Sequence, residues 1–379
     1  MWHSLPTFLV LVTSFTAPTL TFHHVRGVHD VNLRPRARVE PQGVLANATK
    51  PEIEEARKLV EEVQKKMAVY RHARFSNPRR NLYHAEPGNL LSKRDVGGQG
   101  DDLALPVEFT PEVEHALSLV AEADAAAGPS SNLTLSARKQ KRAQRFWMES
   151  IDHSKGTVPW GDDPGYKVFR NVIDYGADPT GKKDSYKAIQ EAMMDGKRCG
   201  DKCNGSTLKN AIVYFPPGQY LVSRQIDIPM GTQVIGDAND WPTLMAARLF
   251  ADLAVLSTNK YVGGPRFSGP DKLDPQWYVS TARFYSQIRN FKIDITGTRD
   301  TQYDREVACI HYQVAQATSL ENVELIAKTG RKYMQVGIFA ENGSGGSMSD
   351  VKFKGGWRGF CKFLRGQPDI RHIGQANMH

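Results

Sequence analysis

Three stretches of the chain repeat one pattern: QIRNFKIDI (287–295), SLENVELIA (319–327) and SMSDVKFKG (347–355). Each has a polar residue, then Asn or Asp, then alternating apolar positions. Asn290, Asn322 and Asp350 occupy equivalent places, 32 and 28 residues apart. A period near thirty residues with short strands and a recurrent corner Asn predicts a parallel β-helix. An Asn at a corner tolerates the left-handed conformation and hydrogen-bonds the backbone of the next coil. Stacked coils satisfy one another's backbone groups, and inward Val, Ile, Leu and Phe make one continuous core.

Upstream, NVIDYGADPTGKKDSYKAIQEAM (171–193) reads as a strand over Val168–Ile173, a Gly/Asp/Pro turn and a helix over Asp184–Met194 capped by Asp184 or Ser185. AIVYFPPGQYLVSRQIDIP (211–229) reads as two strands around a Pro-Pro-Gly turn, with a third strand at Thr232–Ile235. Residues 22–145 differ, being rich in Arg, Lys, Ala, Glu and Pro and poor in aromatics. A helix is predicted from Pro51 to about Arg74, N-capped by Thr49, with an apolar stripe of Ile53, Ala56, Leu59, Val60, Val63 and Met67. A second is predicted over Pro111–Ala127. This partly helical or disordered region is expected to be a pro-segment or mobile arm. Residues 1–21, with the apolar run Leu5–Thr21, are expected to be a signal peptide.

The chain has 379 residues, 40% hydrophobic and 24% charged, which suits a packed core and excludes global disorder. A mean hydropathy of −0.46 excludes a multi-span membrane protein. Four cysteines exclude a disulfide-dense scaffold. Net charge +8 suits an acidic partner such as pectin, nucleic acid or anionic lipid. The basic run RKQKR (138–142) lacks an accompanying recognition fold or aromatic platform, so nucleic acid is not expected as a partner. No membrane association is expected after signal cleavage.

Sequons at Asn47, Asn132, Asn204 and Asn342 support a glycosylated, secreted and extracellular chain. Lys93-Arg94 is either a dibasic processing site or an ordinary exposed pair. Cys199 and Cys203 are expected to pair in an oxidising compartment, since no further ligands stand nearby for zinc. Cys309 reads as a buried thiol.

FRNVIDYGADPTGKKDSYKAIQEAM (169–193) followed by YFPPGQYLVSRQIDIPMGTQVIGD (214–237) resembles the opening of pectate-lyase-like right-handed β-helix proteins. More narrowly, FWMESIDHSKGTVPW (146–160), RCGDKC (198–203), GDANDWPTL (236–244), FYSQIRNFKIDIT (284–296), IHYQVAQATSLENV (310–323) and IFAENGSGGSMSDVKFKGG (338–356) resemble fungal exo-β-1,3-glucanases of glycoside hydrolase family 55. The resemblance runs from Phe146 to Gly356. It implies an all-β, right-handed parallel β-helix over 146–358, incomplete because such enzymes have two tandem β-helices with the active site between them. It implies β-1,3-glucan or another cell-wall polysaccharide as partner and glucose release with inversion; no cofactor or metal is expected. The family's general-acid glutamate lies in the second half, and no residue here matches it. The tail 359–379 abandons the alternation and is expected to be aberrant, read in a shifted frame. The chain alone is expected to be weakly active or inactive.

Glycoside hydrolysis needs one group to protonate the leaving oxygen and another to activate water. The candidate acids are Asp174, Asp178, Asp184, Asp294, Glu321, Glu341 and Asp350. Asp178 and Asp184 read as turn and capping residues and Asp350 as a corner residue, so the catalytic residues are unassigned. Gln313 and Gln316 with His311 either position a water or sugar hydroxyls, or form an amide ladder between coils. Asn342, Ser344 and Ser347 are further cleft candidates. Two other readings are a pectin- or rhamnogalacturonan-active enzyme and a non-catalytic glucan-binding β-helix.

Overall fold

A computed structural model describes residues 40–41, 43–76, 107–128, 146–154, 163–201, 203, 205–262, 276–278, 282–299, 306–330, 333–340 and 345–362. These form a parallel β-helix of six coils. The first coil contributes β1 (Phe169–Asn171) and β2 (Thr180–Asp184), and the second β3 (Ala211–Phe215), β4 (Gln219–Val222) and β5 (Ile226–Asp227). The third contributes β6 (Thr232–Gly236), β7 (Thr243–Ala246) and β8 (Ala254–Ser257). The last three need only two strands each: β9 (Gln287–Asp294) with β10 (Ala308–His311), β11 (Ser319–Thr329) with β12 (Val336–Ala340), and β13 (Ser347–Gly356) with β14 (Arg358–Lys362).

The corner residues explain that economy. Asn290, Asn322 and Asp350 have φ of 61°, 53° and 52°, so one left-handed residue turns the strand and the ladder continues on both sides. The first part of β9 pairs with β6 and its second part with β7. Asn290 donates to the Gly236 carbonyl at 3.1 Å, and Asn322 donates to Asn290 Oδ1 at 3.2 Å. A Cβ on Gly236 would lie 2.1 Å from the Asn290 carbonyl oxygen, so the corner stack begins on a residue that must be Gly.

Three parallel sheets result. The first holds β1, β3, β6 and the leading halves of β9, β11 and β13. The second holds β2, β4, β7 and their trailing halves. The third runs β5-β8-β10-β12-β14. Inward residues stack in register: Val213, Val234, Ile288 and Leu320 in the first sheet, and Ile226, Leu256, Ile310 and Ile338 in the third. All eight are at most 1% exposed. Each such burial stabilises by roughly 1.5–3 kcal/mol before entropy is counted.

Helix α4 (Tyr186–Met194) takes the place of a third strand in the first coil and buries Tyr186, Ile189, Ala192 and Met193. Asp184 caps it, accepting the Tyr186 N–H at 3.2 Å. Its last carbonyls accept from buried arginines: Arg170 Nη1 to Ala192 O at 2.9 Å and Arg198 Nη1 to Met193 O at 2.8 Å. Cations there match the negative end of the helix. Burial pushes Arg198 down to about 10, still a cation at neutral pH. Beyond α4, Cys199 and Cys203 are disulfide-bonded with Cα atoms 5.3 Å apart.

The described part of region 22–145 is helical and lies on the β-helix. Helices α1 (Lys50–Ser76) and α2 (Pro111–Ala126) pack against the β-helix. Thr49 and Glu52 form a capping box at the start of α1, and Thr110 Oγ1 accepts from Val113 at the start of α2. Ala56, Val60, Val63, Met67 and Tyr70 recur every three or four residues and are all buried. They join Ala254, Ala308, Val336, Phe339 and Cys361 on the outer face of the third sheet. The physical reason is the sheet itself, whose outer face is apolar and must be covered. Arg299 fixes α1 through Glu61 at 3.1 Å, and Glu306 does so through His72 at 2.8 Å. Asp184 accepts from α2 through Ser118 Oγ at 2.6 Å. A four-residue helix, α3 (Trp147–Ser150), precedes β1.

Strand β14 crosses the boundary expected at 358 and pairs in parallel with β12, so Arg358–Lys362 belongs to the sixth coil. The remainder of the expected tail lies outside the described residues, as do the expected signal peptide and Lys93-Arg94. Among the described residues, no helix is long and apolar enough to cross a membrane.

Candidate functional site

The third sheet ends in a polar cluster. Ser257, Thr258, Asn259, Gln276, His311 and Gln313 are each at most 1% exposed. Ser257 Oγ lies 3.0 Å from His311 Nδ1. Gln313 accepts from Asn259 at 3.0 Å and donates to the Tyr261 hydroxyl at 3.2 Å. Register explains the burial. His311 stands in the outward ladder Ser257–His311–Phe339–Cys361, the face covered by α1. Its ring stacks on Tyr261 at 5.2 Å and leans on Phe339 at 5.8 Å, and Tyr70 and Phe75 of α1 close over those two rings. His311 and Gln313 therefore tie coils together and do not reach a sugar in this structure. Gln316, three residues on, is exposed and lies against Gly345.

An accessible concavity among the described residues lies on the outer face of the first sheet, beside Gln316. It is an open groove of about 380 Å³ lined by Gln233, Tyr285, Gln287, Ala317, Thr318, Ser319, Glu321 and Ser347. Four of these form one rung-by-rung ladder: Gln233, Gln287, Ser319 and Ser347 are successive partners on β6, β9, β11 and β13. Alternation puts them outward because Val234, Ile288 and Leu320 point inward. Ser319 is 7% exposed, and its hydroxyl has no hydrogen-bond partner among the described residues.

Tyr285 stands at the rim, 53% exposed, with φ of 56°. A left-handed tyrosine is costly and persists only where its surroundings hold it. They do so here. Two residues before it, Arg283 is fully buried, with Nη2 on the Ile228 carbonyl at 2.7 Å and its backbone carbonyl accepting from Ala315 at 2.8 Å. One residue after it, the Ser286 carbonyl accepts from Ser319 at 3.0 Å.

Of the candidate acids among the described residues, Glu321 alone lines the groove. Asp178 accepts from Thr180, Lys182 and Lys183 in the entry turn. Burial pushes its carboxyl up, but those hydrogen bonds outweigh it and hold the group below its ordinary value. Asp184 binds α2, Ser223 and Tyr186. Asp294 turns the end of β9 through Thr296 at 2.8 Å. Asp350 is the third corner residue, and Asp174 is exposed on the entry turn. Glu341, Asn342, Ser344, Asn132 and Asn204 lie outside the described residues. Asn47 is exposed in the 3-10 turn before α1. Among the described residues, no group of His, Cys, Asp or Glu is arranged to hold a metal ion. Sequence reasoning missed Tyr285, Gln233, Gln287 and Ser319. The strand alternation of QIRNFKIDI was a usable signal for Gln287, whereas the exposure of Tyr285 had none.

The model of a family described as "Rhamnogalacturonase A/epimerase, pectate lyase-like" matches residues 169–370, more than half of the chain. A "Probable glucan endo-1,3-beta-glucosidase" of Arthroderma benhamiae is 42% identical over 218 residues, 57% of this chain and 23% of that protein. A "Glucan 1,3-beta-glucosidase" of Cochliobolus carbonum is 37% identical over 215 residues, 56% of this chain and 26% of that protein. A "Non-secreted LysM effector LysM19" of Penicillium expansum is 34% identical over 341 residues, 89% of this chain and 25% of that protein. The chain thus spans about a quarter of the length of each of these relatives. Its coils, its corner ladder and the matched span agree: the chain belongs to the rhamnogalacturonase A/epimerase, pectate lyase-like family.

Proposed function

We propose that this chain is the β-helix part of a polysaccharide hydrolase acting on β-1,3-glucan, with the first-sheet groove facing the substrate. The observation that carries the reading is its identity of 42% to a protein named probable glucan endo-1,3-beta-glucosidase and of 37% to one named glucan 1,3-beta-glucosidase. The groove adds hydroxyl and amide donors and one carboxylate, a set suited to sugar hydroxyls. Inverting hydrolysis needs two carboxyl groups roughly 6.5–9.5 Å apart. Among the described residues the lining supplies one, Glu321, and on this reading the chain alone binds glucan and releases little glucose. The test incubates the purified chain with laminarin and with polygalacturonate, measuring retention on each polymer and reducing-sugar release. Retention by laminarin with release near background supports the proposal. Turnover of polygalacturonate, or no retention by laminarin, overturns it.

A pectin-active enzyme is the second reading, favoured by the net charge of +8 and by the family's description. Secretion is part of the proposal, supported by the apolar Leu5–Thr21 run, the four sequons and the Cys199–Cys203 bond. The name of the Penicillium expansum relative favours a non-secreted chain instead. Immunoblots of culture medium against cell extract, with and without glycosidase treatment, separate the two.

A further inference from the structure

We infer that the groove selects a neutral glycan lying across successive coils, with Tyr285 as the stacking platform and Glu321 as the group that rejects polyuronates. This rests on the polysaccharide reading above and narrows it to a substrate class.

Three observations carry the inference. The first is the ring at the rim. An exposed tyrosine in the left-handed region, between residues anchored to neighbouring coils, is held outward at an energetic cost. A tyrosine ring offers an apolar face with a polar edge. The C–H face of a pyranose matches that ring, whereas most other polar ligands do not. The second is the ladder Gln233, Gln287, Ser319 and Ser347, one polar group per coil. Adjacent strands lie about 4.8 Å apart, so a polymer with one sugar per similar length meets a hydrogen-bonding group at each step. Ser319, with its buried hydroxyl unpartnered among the described residues, is one such group.

The third observation is charge. Among the described residues, Glu321 is the only charged side chain in the lining. Arg289, its neighbour in register, is turned to Gln287 Oε1 and does not line the groove. A uronate in this groove would place its carboxylate near Glu321, and among the described residues no cation lines the groove to offset it, which is discrimination by repulsion. The chain's positive charge therefore does not carry over to this surface.

The experiment titrates the full chain with laminarihexaose and with hexagalacturonate by calorimetry, for the native protein, Tyr285→Phe, Tyr285→Gly and Glu321→Gln. Melting temperatures are recorded alongside. The native chain should prefer laminarihexaose. Tyr285→Gly should weaken that binding by about tenfold or more without lowering the melting temperature, because Gly accepts the left-handed backbone freely. Tyr285→Phe keeps the ring and should stay within about threefold of native. Glu321→Gln should strengthen hexagalacturonate binding by about threefold or more. If laminarihexaose binds equally to the native chain and Tyr285→Gly, the platform is wrong while the glucan reading survives. If Glu321→Gln leaves hexagalacturonate unchanged, the rejection role is wrong. If the native chain binds neither sugar, the polysaccharide reading falls and takes this inference with it.

Discussion

The first and third sheets share one spacing and one core, yet their outer faces are opposites. The third presents Ala254, Ala308 and Val336 beside Ser257, His311, Phe339 and Cys361, all buried under α1 and its neighbours. The first presents Gln233, Gln287, Ser319 and Ser347 along an open groove. Parallel sheets are ordinarily buried on both faces. The first sheet departs from this in its later coils: Phe146 and His153 cover Tyr214 and Phe169 at the β1/β3 end, whereas the polar stretch from β6 to β13, with an exposed aromatic at its rim, stays open and is the place to look for a ligand. The covered face, including the His and Gln that the sequence had singled out, holds the molecule together.

Substitutions that treat the two faces alike break this comparison if they have equal effects. Phe339→Ala removes the ring packed on Phe75 and should cost about 3–5 kcal/mol by urea unfolding. Asn290→Ala should cost about 2–3 kcal/mol, losing the bonds to Gly236 and Asn322 and forcing Ala into the left-handed region. Asn290→Gly should cost less, because only the bonds are lost. Replacing Cys199 and Cys203 together by Ser should cost about 2 kcal/mol, the loop-closure entropy of so short a ring. Gln287→Ala and Ser347→Ala on the open face should each stay within about 0.5 kcal/mol. If Gln287→Ala destabilises as much as Phe339→Ala, the open face is structural after all. A pH series sharpens the picture at the entry turn. Asp178 is held below its ordinary value, so its stabilisation is present above the unfolded carboxylate range and is lost as pH falls below about 4. Asp178→Asn should flatten that acid limb.

Much of the coil architecture was legible because a left-handed corner restricts residue type. Asn290, Asn322 and Asp350 announce themselves in a way that an ordinary turn does not. Helix starts were legible for a similar reason, since Thr49 with Glu52 and Thr110 with Pro111 are local signals. The docking of α1 was not. ACIH and AVLS are short apolar runs that indicate burial on both faces without naming the cover. His311 and Gln313 were ambiguous because a strand residue's face depends on register, and a shift of one residue reverses it. Tyr285 carried no mark at all. Its position follows from anchors at Arg283 and Ser286 to coils far along the chain. The β-helix boundary expected at 358 falls a strand short, since RGFCK continues the third sheet through pairing with β12.

Hydrogen–deuterium exchange of the full chain, with and without saturating laminarihexaose, tests the division between the two faces most directly. The account predicts slowed exchange on glucan binding at 284–289 and 316–321, and no change in β8, β10 and β12 beneath α1. Slowed exchange confined to those third-sheet strands, or faster exchange in α1 as it lifts to admit the sugar to His311 and Gln313, would contradict it.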